Sequence, residues 1–226
     1  FLLIGWLGLI QTPLKTTGVP IDEPEYETAT WIEEYAQSEN LTYPDNYVFS
    51  RWSRNRMFNY FVSGNSDSYA YARQYYREYI ASTAEDDWGY QFRSRVGFVV
   101  TEDAQAGSET LQTRIHENLG TGTADLPGLG HVKMVYVSPT GQFKVAEVVH
   151  GATVQGTAEP NAKVTVSKRI EIPGASFTYN RSVTADQFGT YRVTVPYRGE
   201  YSIDDRSITV SETAVNQGLI VFAYRQ

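Results

Sequence analysis

The feature that most restricts this chain is a change of texture at Gly151. Beyond it the sequence breaks into short alternating segments, punctuated by Gly, Pro, Asn or Asp about every 8 to 12 residues, with essentially no helical stripe. The runs that begin at Ala162 (Ala-Lys-Val-Thr-Val-Ser), Tyr191 (Tyr-Arg-Val-Thr-Val) and Ser207 (Ser-Ile-Thr-Val) each put apolar residues on one face and polar residues on the other. Strands of that kind bury their apolar faces when two sheets pack together, so residues 151–226 predict an all-β sandwich.

Upstream, helical and strand periods alternate. Asp22 with Glu25 three residues later makes a capping box, and Ala29, Ile32 and Tyr35/Ala36 recur at helical spacing, which predicts a helix through about Gln37. Residues 46–50 read as a buried first strand after a Tyr-Pro-Asp turn. A second apolar run, Met57 to Val62, ends at Ser63-Gly64-Asn65. Ser66-Asp67 opens a further helix with Tyr69, Ala72, Tyr76 and Tyr79/Ile80 in one stripe and Arg73 and Arg77 opposite. A short helix over 88–95, a strand over 96–101 and a helix over 110–119 stopped by Gly120 follow. The run 120–130 is glycine-rich but lacks the Lys and the capped helix of a phosphate loop, and reads as a flexible loop. Residues 131–137 and 143–149 form a hairpin across Ser-Pro-Thr-Gly. The alternation predicts an α+β or α/β domain over 22–150 with a central sheet, and the β-sandwich domain over 151–226.

Residues 1–21 are expected to be a membrane-proximal segment and linker. The opening FLLIGWLGLI is about half the ~20 residues of a spanning helix, and its Trp and Gln-Thr-Pro exit resemble a membrane boundary; the alternative is a buried amphipathic first helix. No basic stretch precedes it and no small-residue cleavage pattern follows, which argues against a signal peptide.

Several functions are excluded or disfavoured. A net charge of −7 disfavours a nucleic-acid partner. The absence of cysteine removes disulfides, thiolate metal sites and a Cys nucleophile. His116, His131 and His150 have no metal-ligand spacing. Asp86-Asp87, Glu102-Asp103 and Asp204-Asp205 are adjacent pairs that do not converge on one atom and read as surface charge. The 17 tyrosines, against 10 phenylalanines, suggest shallow, wet packing. No catalytic residue is assigned to this chain.

Two resemblances add to this. The stretch Ala152 to Val166, with its Gly-Thr-Ala-Glu-Pro-Asn-Ala, and the stretch Val183 to Pro196, with Asp186 and Gly189 in its turn, resemble carboxypeptidase regulatory-like modules. The wider layout is an apolar exit, the Thr30-Trp31-Ile32 helix, the strand Tyr47-Val48-Phe49-Ser50, a tryptophan and a terminal sandwich. It resembles the soluble C-terminal region of archaeal, particularly haloarchaeal, oligosaccharyltransferase catalytic subunits. In that family the strand leads into Trp-Trp-Asp-Tyr-Gly, which helps to recognise the acceptor sequon. Here Arg51-Trp52-Ser53-Arg54-Asn55 follows, so Trp52 matches the second tryptophan and Ser53 replaces the acid. A hydroxyl supplies neither the charge nor the two-oxygen acceptor of an aspartate.

The resemblance implies an extracytoplasmic region of a membrane glycosyltransferase for N-glycosylation, on the acceptor side and inactive as an isolated fragment. It implies a bilayer partner through an upstream transmembrane region, an acceptor polypeptide or lipid-linked glycan, and Mg2+ or Mn2+ held in the transmembrane part rather than here. Trp52, Ser53, Arg54 and Arg56 are the candidate acceptor-binding residues, the indole offering a flat apolar face and the arginines charge-assisted hydrogen bonds; the competing expectation is that Trp52 plugs the core and the arginines form a solvated turn. The alternative is a noncatalytic cell-envelope binding or spacer module. A weaker third option is a polysaccharide surface on the tyrosine-rich helix from Tyr69 to Tyr79. The sequons Asn40-Leu41-Thr42 and Asn180-Arg181-Ser182 are permitted glycosylation acceptors on an outer face.

Overall fold

The structure is a computed structural model describing residues 21–65, 69–102, 107–204 and 206–223. The membrane-proximal segment apart from Ile21, the Ser66-Asp67 helix opening, Asp103 and Asp205 lie outside the described residues. No helix among the described residues is long and apolar enough to cross a membrane.

Helix α1 (Glu23–Ser38) begins where its capping signal places it, with the Asp22 carboxylate accepting from the Glu25 N–H and Pro24 in the first turn. Strand β1 (Val48–Phe49) is shorter than expected, and helix α2 (Trp52–Ser63) takes in the apolar run at Met57–Val62. Helices α3 (Tyr69–Ala81) and α4 (Tyr90–Arg93) lead to β2 (Phe98–Glu102), followed by α5 (Leu111–His116). The hairpin β3 (Val132–Val137) and β4 (Phe143–Val148) completes a four-stranded sheet of order β1-β2-β4-β3. Only β1 and β2 are parallel, as their helical connection requires.

The sheet is covered on both faces, and side-chain alternation assigns each residue to a layer. Val48, Phe98, Val100 and Val145 face α1 and α2, meeting Ala29, Ile32 and Phe58. Phe49, Val99 and Ala146 face the other way, meeting Tyr76 and Tyr79 of α3, Phe92 of α4 and Ile115 of α5. A register shift between Met134 and Tyr136 breaks the alternation in β3, so Val135 and Tyr136 lie on the same side. Tyr136 then joins a ring stack with Trp31, at 4.6 Å between centroids.

The second half is strand-rich. Strands β5 (Ala152–Thr157), β6 (Lys163–Ile172), β7 (Ala175–Thr184), β8 (Thr190–Val195), β9 (Gly199–Ile203), β10 (Arg206–Val210) and β11 (Ile220–Ala223) form two sheets, β10-β9-β6-β7 and β11-β5-β8. Their inner faces share one core: Val164, Val166, Tyr179 and Tyr201 from the first, Val154, Tyr191 and Val193 from the second. The Asp186 carboxylate accepts from the Phe188 and Thr190 N–H groups, and Gly189 takes a φ of 78°, which makes the turn the sequence indicated.

Two expectations are corrected here. A short helix, α6 (Glu212–Gln217), interrupts the strands; Ser211 caps it, Gly218 ends it at a φ of 68°, and only Ala214 and Val215 are buried. One and a half turns are too few to leave a periodic stripe. The tyrosines are also not shallow: Tyr47, Tyr79, Tyr179, Tyr191 and Tyr201 are among the largest fully buried side chains. Main-chain partners make that tolerable for several, since the Tyr76, Tyr179 and Tyr201 hydroxyls donate to the carbonyls of Val100, Leu129 and Tyr197. Burial raises the pKa of each of these three phenols.

The glycine-rich run 120–130 is a packed joint rather than a free loop. It lies against β7: the Gly122 N–H donates to the Asn180 carbonyl at 2.9 Å, and the Thr121 hydroxyl to the Thr178 carbonyl at 3.0 Å. A Cβ on Gly128 would lie 2.2 Å from the Asn180 carbonyl oxygen, so the approach requires glycine. At its end the Glu85 carboxylate is buried, accepting from the Gly130 and His131 N–H groups and from Arg181 at 2.5 Å. Burial acts to raise the Glu85 pKa, but Arg181 and the Gly130 N–H outweigh it and hold the carboxyl below its usual value.

Because the folded pKa is depressed, the stabilisation from Glu85 is present above the unfolded carboxylate pKa of ~4.3 and is lost as pH falls through the folded value. Glu85→Gln is therefore expected to cost about 3 to 5 kcal/mol at pH 7 and to flatten the acid limb of stability. Urea unfolding from pH 7 to 3 checks both; parallel curves for the two proteins would exclude Glu85 as the source.

Candidate functional site

The Trp52 corner is built by two asparagines. Strand β1 is the sheet edge, and the outward main-chain groups of Val48 would be stranded in a buried position. Asn55 and Asn59, one turn apart on α2, satisfy them: Asn59 Oδ1 accepts from the Val48 N–H at 2.9 Å. The Nδ2 groups of Asn55 and Asn59 donate to its carbonyl at 2.7 and 2.8 Å. Both asparagines are buried, so this clamp fixes where the first turn of α2, and with it Trp52, emerges.

At that turn Arg51 is the N-cap residue and makes no side-chain cap. The Arg54 and Asn55 N–H groups close the turn onto the Arg51 carbonyl at 2.9 and 3.0 Å, which leaves the Trp52 and Ser53 N–H groups at the positive end of the helix. Trp52 is 50 % exposed, and Ser53 and Arg56 are exposed. Arg73 of α3 lies over the indole at 5.4 Å, and Arg56 lies over the Tyr69 ring at 4.9 Å. Neither Arg56 nor Arg73 has an acidic partner within 4.0 Å among the described residues. Among the described residues of a chain of net charge −7, the result is a local patch of aromatic rings and guanidinium groups without a paired carboxylate.

The four candidate residues are thus divided. Trp52, Ser53 and Arg56 face outward from the start of α2. Arg54 turns inward, its guanidinium forming ion pairs with Glu25 of α1 and, at 3.3 Å, with Glu102 of β2, over the Phe143 ring. Burial acts to lower the Arg54 pKa, but the two carboxylates outweigh it and raise it. Glu102, read as surface charge, is one of the two carboxylates of this internal bridge. Arg73 is the residue missed: helical period put it opposite the apolar stripe, but only the packing of α3 on α2 brings it to Trp52.

Other candidates are less suited to a ligand. Tyr76 and Tyr79 are buried, so the tyrosine-rich helix does not offer them as a polysaccharide surface. A groove of about 460 Å³ opens at the Lys133 end of the sheet, away from Glu102 and Trp52, between α1, β3 and β6. Two of its charged side chains are paired, Lys133 with Glu147 and Arg198 with Glu212, both at 2.7 Å, and its Trp31 ring is stacked on Tyr35 as well as Tyr136. No group of three or more His, Cys, Asp or Glu that could hold a metal ion occurs among the described residues.

Residues 151–221 match the family model described as the archaeal glycosylation protein B long peripheral domain. In fold, the chain is similar to the oligosaccharyltransferase of Archaeoglobus fulgidus. Its complex with Zn and sulfate gives a TM-score of 0.63 and 14 % identity over 91 % of this chain and 47 % of that one. The same archaeal enzyme, AglB, with an inhibitory peptide and a dolichol-phosphate gives 0.63 and 14 %, over 91 % and 43 %. The apo form gives 0.64 and 13 %, over 91 % and 43 %. The chain spans just under half the length of these structures. No curated protein sequence matches. The family likeness is thus carried by residues 151–221, and over the rest of the described chain the likeness is one of fold.

The geometry separates support from display. Asn59→Ala is expected to cost about 2 to 3 kcal/mol, because both main-chain groups of Val48 lose a buried partner. Trp52→Ala is expected to cost about 1 kcal/mol or less. Chemical unfolding of the two variants checks the difference, and equal losses would make Trp52 a packing residue.

Proposed function

We propose that this chain is the extracytoplasmic C-terminal region of an oligosaccharyltransferase-like membrane glycosyltransferase, with the Trp52 corner on its acceptor side. The observation that carries the proposal is the position of Trp52: half-exposed, in the first turn of the helix after the strand, where the family resemblance puts acceptor recognition. The parent would sit in the cell membrane through an upstream transmembrane region. We also take 22–150 as the unit bearing the site and 151–226 as a sandwich that supports it.

The chemistry available is binding and orientation. An indole flank takes an apolar side chain or a sugar face, and the Trp52 and Ser53 N–H groups with the Ser53 hydroxyl hydrogen-bond to carbonyl or hydroxyl oxygens. Arg56 and Arg73 supply charge to an acidic glycan or to the phosphate of its lipid carrier. Ser53 in place of the family's acid means that positive charge on an acceptor is not matched here. The Mg2+ or Mn2+ implied by the resemblance would belong to the transmembrane part of the parent and supply Lewis-acid chemistry there. The described residues offer no cluster to hold it. On this reading the isolated fragment transfers nothing.

The noncatalytic envelope module is favoured by two observations: the acid is absent, and Arg54 is engaged internally. Peptide binding and transfer by the full-length membrane protein decide between the readings. Trp52→Ala is expected to weaken binding of an Asn-x-Thr peptide about tenfold or more, with thermal unfolding nearly unchanged. Undiminished binding would remove the acceptor role, and no transfer by the wild type would leave the envelope module.

A further inference from the structure

The two sequons are equivalent on paper, and the fold makes them opposites. Asn180 lies mid-strand in β7, paired with Ser167, and is fixed in the joint with the glycine-rich run. Its N–H donates to the Thr121 hydroxyl at 2.9 Å, its carbonyl accepts from Gly122, and its side-chain oxygen closes on Gly122, where an added Cβ would lie 2.6 Å away. Ser182 of the same sequon is hydrogen-bonded to Thr165 at 2.8 Å. A glycan on Asn180 would have to displace the loop.

Asn40 is presented instead. It follows α1 at a φ of 55°, a left-handed conformation that asparagine tolerates better than most residues. The helix ends in a Schellman motif: the Leu41 N–H donates to the Ala36 carbonyl at 2.8 Å and the Asn40 N–H to the Gln37 carbonyl at 3.1 Å. Leu41 packs against the core beside Ala36. With the middle residue anchored inward, Asn40 and Thr42 on either side are both exposed. The amide to be modified and the hydroxyl that completes the sequon are therefore open to one partner on a rigid base.

We infer that Asn40 is an N-glycosylation site of this protein and that Asn180 is not. The co-reactant is a polyprenyl-phosphate-linked glycan. The bond from the sugar C1 to the carrier phosphate oxygen breaks, the bond from C1 to Asn40 Nδ2 forms, one amide proton is lost, and the lipid phosphate or pyrophosphate leaves. The inference rests on the outward-facing location proposed above and not on the activity of the parent, because any membrane transferase on that face would serve.

The test is glycopeptide mass spectrometry of the full-length protein isolated from its own cells, together with proteolysis of intact cells from outside. The expected result is a glycan mass on the Asn40 peptide, lost in both Asn40→Gln and Thr42→Val, with the Asn180 peptide unmodified. An unmodified Asn40 peptide from a region that external protease does cleave would overturn the inference and leave the location standing. A region the protease cannot reach, with Asn40 unmodified, would overturn both. A glycan on Asn180 would overturn the assignment between the two sites.

Discussion

The ion pair between Glu85 and Arg181 is the constraint on which the arrangement turns. A carboxylate in the loop after α3 and a guanidinium on β7 are both largely removed from water, with side-chain exposures of 6 and 13 %. Such a pair is held best where its remaining hydrogen-bonding capacity is met, which holds here for the carboxylate and only in part for the guanidinium, whose Nε is buried with no partner among the described residues. The Gly130 and His131 N–H groups meet it on the carboxylate, and the Gly128 carbonyl accepts from Arg181 at 2.7 Å. This requirement draws the glycine-rich run against β7. It also couples the helical layers to the strand-rich half, where two sheets alone would permit many relative placements. Further polar links cross the same seam: Val137 N–H to the Pro173 carbonyl and Met134 N–H to the Tyr197 hydroxyl, both at 3.0 Å.

A second polar device acts at the other end of the sheet. Asn55 and Asn59 stand in for the missing strand beside Val48, and Arg54 ties α2 to α1 and β2 through Glu25 and Glu102. The side chains of α2 thus alternate between holding the fold and facing outward. Trp52, Arg56 and Tyr60, each one turn from the next, form the exposed face. On the proposed reading, a surface on a helix clamped at its first turn starts from a fixed geometry, which would lower the ordering cost of binding. The same rigidity distinguishes the two sequons, since one follows a capped helix end and the other lies inside the joint.

The sequence by itself determined the order of helices and strands, because period and turn chemistry are local. Asp22 and Glu25 marked the start of α1, Asp186 and Gly189 the turn before β8, and Ser-Pro-Thr-Gly the β3–β4 hairpin. It also brought Trp52, Ser53, Arg54 and Arg56 forward as one segment, through a resemblance whose fold the 151–221 family match and the structural likeness support. Only the tertiary structure decided what each polar residue does. Arg54 and Arg56 are alike in sequence and two positions apart, which on a helix turns one inward to carboxylates and the other outward. Glu85 carried no local signal, because its partners lie 45 and 96 residues away. The packed tyrosines were misread for a related reason: the carbonyls that accept from the buried Tyr76 and Tyr179 hydroxyls lie 24 and 50 residues away. Local patterns fix conformation; the roles of charges and hydroxyls are set by partners that only the folded chain brings together.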